Sequence, residues 1–143
     1  SNLVAIHQKT GIGRLSAYCG AVCAGAAAGT GIAYLCGGGY AEVTHTVVNA
    51  LAITSGIVCD GAKASCAAKI AAAVDAGILG YNMYIRGQQF RAGDGLVTKG
   101  ADETIRNVGR LGKDGMKETN DEIISIMVHD RCYNTKQKRC SDE

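Results

Sequence analysis

Residues 15–41 contain no Asp, Glu, Lys or Arg. A charge-free run of that length has to be buried, in a protein core or in a bilayer, and it is long enough for either. Its composition decides what it packs against. Ala and Gly dominate, and Ala17, Ala21, Gly25, Gly29 and Ala33 recur at every fourth position. On a helix they form one stripe of small side chains, along which a second helix can approach closely. Gly25 and Gly29 also have the spacing of a membrane helix-pairing motif. No basic cluster or aromatic belt flanks the run, and the mean hydropathy of the chain is only +0.05. The expectation is a buried helix of a globular protein rather than a membrane span. Gly37, Gly38 and Gly39 end it, because glycine loses the most backbone freedom on becoming helical.

The following segments read as further helices. Over 40–54, Val43, Val47, Ala50 and Leu51 share one face. His45 and Asn49 lie a turn apart on another face, and His45 is expected to be an ordinary, partly buried histidine. Thr54, Ser55 and Gly56 break this helix, and Asp60-Gly61 signals a turn. A third helix over 62–84 has Ala67, Ile70, Ala71, Val74 and Ile78 as its apolar stripe, with Asp60 as its candidate cap. Gly87, Gly93, Gly95 and Gly100 mark a loop. Asp102 and Glu103 suit the positive end of a fourth helix, which runs to about residue 113. Thr119 followed by Glu122 fits a capping box and opens a short last helix. No segment alternates strictly enough for a strand. The fold class is all-α: a compact bundle of about five helices with close-packed Gly/Ala-rich central helices. Residues 1–13 read as a loose N-terminal segment, 14–128 as the helical domain, and 129–143 as a polar, basic tail, either mobile or an untypical extension.

At 143 residues the chain is expected to be one domain with a real core. It has 20 Gly, no Pro, six Tyr, one Phe and no Trp. Large rings cannot fill such a core, so backbones have to come close together. A net charge of +2, without basic runs interleaved with aromatics, argues against nucleic-acid binding. Seven cysteines with no legible secretory leader read as reduced thiols of a cytoplasmic protein rather than a disulfide framework.

Those cysteines carry the chemistry. Cys59 and Cys66 flank a short polar turn between nearly uncharged segments, Cys19 and Cys23 lie one helical turn apart, and Cys36 ends the first helix. Zinc is a poor match, because there is no Cys-x-x-Cys knuckle or Cys/His pair. Iron–sulfur clusters take thiolates from several chain segments. The helix starting near Ala62 points its positive end at Cys59, which favours a thiolate, and Lys63 adds a cation there. From the residues alone, a cluster or metal site and simply packed thiols both stay open.

The stretch Cys59-Asp60-Gly61-Ala62-Lys63-Ala64-Ser65-Cys66-Ala67 resembles the cysteine signature of the iron–sulfur L-serine dehydratase alpha-domain superfamily. Ala21-Val22-Cys23-Ala24-Gly25 resembles its first cluster cysteine. Residues 103–112 and 115–119 are similar to the L-cysteine desulfidase (UPF0597-like) branch, and the resemblance covers roughly residues 13–128. It implies a [4Fe–4S] cluster on Cys23, Cys59 and Cys66, with one iron left open as a Lewis acid on the bound amino acid. Cys19 and Cys36 are then ordinary thiols or neighbours of the site. The implied reaction is β-elimination without pyridoxal phosphate (PLP). L-cysteine loses hydrogen sulfide to give an enamine, which hydrolyses to pyruvate and ammonia, with a base removing the α-proton. Ser55 and Lys63 become candidate groups facing substrate or cluster, against the plainer reading of turn capping and surface charge.

Members of that superfamily are much longer, and their N-terminal part contributes to the active site. The resemblance therefore implies that this chain is a C-terminal, cluster-bearing part, inactive alone and completed by the missing N-terminal region of the same protein. L-serine is the alternative substrate. A reading of another class is a non-catalytic helical module that self-associates through the Gly25/Gly29 stripe as a homodimer.

Overall fold

The structure is a computed structural model that describes residues 1–13 and 16–140, with side chains described as far as His129. The described residues form helices α1 (Asn2–Ile12), α2 (Gly20–Leu35), α3 (Tyr40–Thr54), α4 (Ser65–Ile85), α5 (Ala101–Arg110) and α6 (Lys117–Cys140). A single π turn, Leu111–Gly115, joins α5 to α6. No strand occurs among the described residues, and the architecture is all-α. No described helix is long and apolar enough to cross a membrane.

The small-residue stripe organises the centre. α4 packs most extensively on α2, and α3 packs on both. A Cβ built on Gly29 would stand 2.4 Å from Gly77 Cα, and one on Gly25 would stand 2.4 Å from Ala73 Cβ. Gly80 makes the equivalent approach to α3, with its Cβ position 2.9 Å from that of Asn49. Three helix backbones therefore touch with almost no side chain between them.

This packing corrects the expected apolar stripe of α4. Its buried residues are Ala73, Ala76, Gly77 and Gly80. Ile70 and Ile78 are instead 45% and 37% exposed, and Ala67 and Ala71 are exposed too. Contact at backbone distance selects the small face of a helix over its large aliphatic one. The α3 stripe behaves as expected, with Val47, Ala50 and Leu51 buried.

Other differences arise at helix ends. Residues 2–12, expected to be loose, form α1, which packs on α5 and α2 and buries Gln8 and Ile12. α2 starts at Gly20, later than the charge-free run, and leaves Ala17–Cys19 outside the helix. α4 starts at Ser65 without a side-chain cap, so Asp60 is not its cap. α6 starts at Lys117, which places Thr119 inside the helix rather than at its cap. The helix also runs on to Cys140, through most of the expected polar tail. The expected mobility of that tail concerns side chains outside the described residues.

The core gathers Ile12, Tyr18, Val22, Val47, Leu51, Ile105 and Val108, with Cys19 and Cys23 among them. Cys59 packs against its margin.

Candidate metal centre

A short extended contact brings the backbones at Cys19 and Cys59 together. Tyr18 pairs with Val58 in an isolated antiparallel bridge. The Cys19 N–H donates to Ile57 O at 3.3 Å, and the Cys59 N–H donates to Ala17 O at 2.6 Å. Cys19 and Cys59 thus sit on adjacent extended segments, and Cys23 follows one turn into α2. Ser16 holds the first segment in place. Its hydroxyl accepts from the Tyr18 N–H at 3.0 Å and donates to Gly112 O in the π turn. A Cβ on Gly112 would lie 3.0 Å from Tyr18 Cβ, so the π turn has to pass here without a side chain.

The turn between Cys59 and Cys66 is held from both ends. Gly61 has φ +88, a conformation open to glycine and strained for other residues. The Cys66 thiol donates to Gly61 O at 3.3 Å. Lys69 Nζ, one turn further into α4, donates to Val58 O at 2.9 Å and pairs with Asp60 at 2.5 Å. One ammonium therefore ties the start of the turn to the helix that carries its end.

The electrostatics follow from burial and from two lysines. Cys19 and Cys23 are each 2% exposed, Cys59 and Cys66 are half-buried, and all four are free thiols. Burial pushes the Cys23 thiol up to about 11, with the Lys9 cation opposing and Cys19 adding to the rise. Burial also raises the Tyr18 phenol, with Cys23 and Cys19 contributing. The hydrogen bond from Lys69 holds Asp60 below the usual carboxylate range. The same bond raises Lys69, and Cys19 and Cys66 add to that rise. Lys9 is thus the cation that opposes the rise at Cys23. Lys9 Nζ also lies 3.6 Å from where a Cβ on Gly20 would stand, at the start of α2.

The expected ligands Cys23, Cys59 and Cys66 accordingly lie in two segments stitched together by the bridge. Cys19, expected to be an ordinary thiol, is joined to the Cys59 segment by a backbone hydrogen bond. Cys36 is exposed at the opposite end of α2. Ser55 is the C-cap residue of α3, where its hydroxyl donates to Ala52 O at 3.3 Å. Lys63 is exposed on the turn. Sequence reasoning missed Lys69, although its place one turn after Cys66 was a signal. It also missed Lys9, which no spacing indicates because α1 reaches the site only through tertiary packing.

Among the described residues, no three His, Cys, Asp or Glu side chains converge tightly enough to hold a single metal ion. A cluster is held differently. Its thiolates bind separate irons and stand around it rather than meeting at one point. A donor set of soft thiols, flanked by two cations and set at the edge of a dry core, matches a Cys-bound iron–sulfur cluster in kind and is unsuited to a hard cation.

A UPF0597 protein of Desulfitobacterium hafniense (strain Y51) is 70% identical over 129 residues, covering 90% of this chain and 30% of the relative. UPF0597 proteins of Lachnoclostridium phytofermentans and Treponema denticola are 55% and 51% identical, each covering about nine tenths of this chain. The chain spans about three tenths of the length of these relatives. No solved structure matches it. The model of the serine dehydratase alpha chain matches residues 1–125, from α1 through both cysteine segments into α6. With nearly the whole described fold inside that match, the chain belongs to the serine dehydratase alpha chain family.

Proposed function

We propose that this chain is the cluster-bearing part of an iron–sulfur-dependent amino-acid lyase whose substrate is L-cysteine. The observation that supports the reading is the bridge between Ala17–Cys19 and Ile57–Cys59, which sets the backbone of the segment leading to Cys23 beside that of the Cys59 turn. Family membership and the UPF0597 relatives support it.

On this reading Cys23, Cys59 and Cys66 hold a [4Fe–4S] cluster. When bound, that cluster supplies an open iron as a Lewis acid for the substrate. The chain's own residues prepare the site. Burial keeps the Cys23 thiol protonated until a metal displaces its proton. Lys69 fixes the shape of the turn, and Lys9 and Lys69 offset the negative charge of deprotonated thiolates. Lys63 and Ser55 are the candidate groups facing substrate or cluster. The remaining region of the longer protein supplies the base that takes the α-proton. The net reaction breaks the C–S bond of L-cysteine to release hydrogen sulfide and 2-aminoacrylate. Water then converts the latter to pyruvate and ammonia.

The test is iron and acid-labile sulfide content of the full-length protein purified without oxygen. We expect both, and we expect Cys23→Ala, Cys59→Ala and Cys66→Ala each to lower them sharply. Full iron content in all three variants rejects the ligand set. The description of the matched family favours L-serine as a second reading, decided by comparing pyruvate release from the two amino acids. A self-association module would instead give an iron-free dimer with every thiol titratable.

A further inference from the structure

A second cleft lies at the other end of α4. It has a volume of 300 Å³ and is walled by α3, the loop after α4 and the start of α5. Tyr84, at this end, is 18 residues along α4 from Cys66, roughly 27 Å at helical rise. The cleft is therefore separate from the cysteines. His45 and Asn49, which the proposed reaction does not use, belong to this region.

Its walls are unusually short of hydrogen bonds. Three side-chain polar atoms from residues lining it are buried without a partner among the described residues: His45 Nδ1, Gln89 Oε1 and Thr98 Oγ1. The other such atoms belong to Gln8 and Tyr18, elsewhere in the core. Buried polar groups are nearly always satisfied, so three orphans around one cleft point to a missing partner.

The walls are nonetheless well fixed. His45 stacks flat on Tyr84, with ring centroids 4.4 Å apart and 9° between planes. The fully buried Asn49 donates to Gly80 O at 2.9 Å and accepts from the Phe90 N–H at 3.1 Å, pinning the loop that carries Gln89. Thr104 accepts from the Thr98 N–H at 3.2 Å and pins the opposite wall.

Charge indicates what would fill it. Arg91 and Lys99 both line the cleft, and neither side chain pairs with a carboxylate among the described residues. The first-turn carboxylates of α5 are engaged elsewhere, Asp102 with His7 and Glu103 with Arg106. Two cations ask for an anion. The orphan Gln89 Oε1 only accepts, so it asks for a donor on the same molecule.

We propose that this cleft binds a small carboxylate bearing an amino or hydroxyl group, held by Arg91 and Lys99 at its anionic end and by Gln89, His45 and Thr98 at its hydrogen-bonding end. In the structure these polar atoms are shielded from solvent, so binding requires their side chains to turn toward the ligand. The proposal is independent of the lyase reading, because it uses no residue of the cysteine centre.

The test is an amide NMR titration of the chain with L-serine, pyruvate and inorganic phosphate as probes. We expect saturable shifts with L-serine confined to residues 44–48 and 89–101. Arg91→Ala, on an exposed side chain, and Gln89→Leu should each weaken that binding about tenfold. Glu118→Gln, exposed at the start of α6 and outside both sites, should leave it unchanged. Pyruvate, which has no amino or hydroxyl donor, should bind at least tenfold more weakly. Shifts centred on residues 57–69, or none with any probe, overturn the proposal. Phosphate or pyruvate binding as tightly as L-serine, or a Gln89→Leu variant that binds normally, overturns its account of recognition.

Discussion

Each of the five cysteines whose side chains are described has its own reactivity written into its surroundings. Cys36 is exposed, Cys59 and Cys66 are half-buried, and Cys19 and Cys23 are closed off. The thiolate is the species that reacts, and burial holds Cys23 in its neutral form. Among these five, iodoacetamide at pH 8 should therefore label Cys36 first, Cys59 and Cys66 next, and Cys19 and Cys23 only on unfolding. Peptide mapping by mass spectrometry reads that order, and early labelling of Cys23 would contradict the packing. Lys69 offers a second test. Lys69→Met removes the tie from α4 to Val58 O and Asp60 but keeps the aliphatic stem. Amide hydrogen exchange should quicken over residues 58–64, while the α2–α4 core keeps its protection. Unchanged exchange in the turn would mean that Gly61 and the Cys66 thiol hold it without Lys69.

Among elements, the α2–α4 contact sets the tolerance of the fold. Backbones cannot retreat as flexible side chains do. Gly29→Ala places a methyl group 2.4 Å from Gly77 Cα, and overpacking of this kind costs about 1–3 kcal/mol. Gly77→Ala meets the same wall from the other side, its methyl 2.6 Å from Gly29 Cα. The two losses should not add, because the first substitution already pushes the helices apart. Gly56→Ala is the control: nothing lies within 4 Å of its Cβ and its φ is not positive. Urea unfolding should show it unchanged to within about 0.5 kcal/mol. The π turn is a further constraint at this scale. Such turns cluster at functional positions, and this one carries Gly112 past Tyr18 and accepts the hydroxyl of Ser16.

Across the whole molecule, the chain presents thiols at one end of α4 and a cationic cleft at the other. It covers about three tenths of the relatives' length. After anaerobic reconstitution with iron and sulfide, the chain alone should release no pyruvate from L-cysteine, while full-length protein treated alike should. A pyruvate assay on matched samples decides this, and turnover by the chain alone would show that the base lies within it.

The sequence by itself determined that the chain is helical and that α2 is buried, and its family resemblance singled out Cys23, Cys59 and Cys66. Charge avoidance, four-residue spacing and the cysteine turn are local signals that survive without knowledge of neighbours. Tertiary structure decided the rest. The face that α4 buries depends on how closely α2 approaches, and hydropathy along one helix does not encode that distance. The bridge between Ala17–Cys19 and Ile57–Cys59 is too short to leave an alternating pattern, yet it is what draws Cys19 to the Cys59 segment. Lys9 reaches the thiols from a segment read as loose, because α1 gains its stability from packing on α5 and α2. The turn was legible because its residues are contiguous, whereas the charges that surround it were not, because folding alone makes them neighbours.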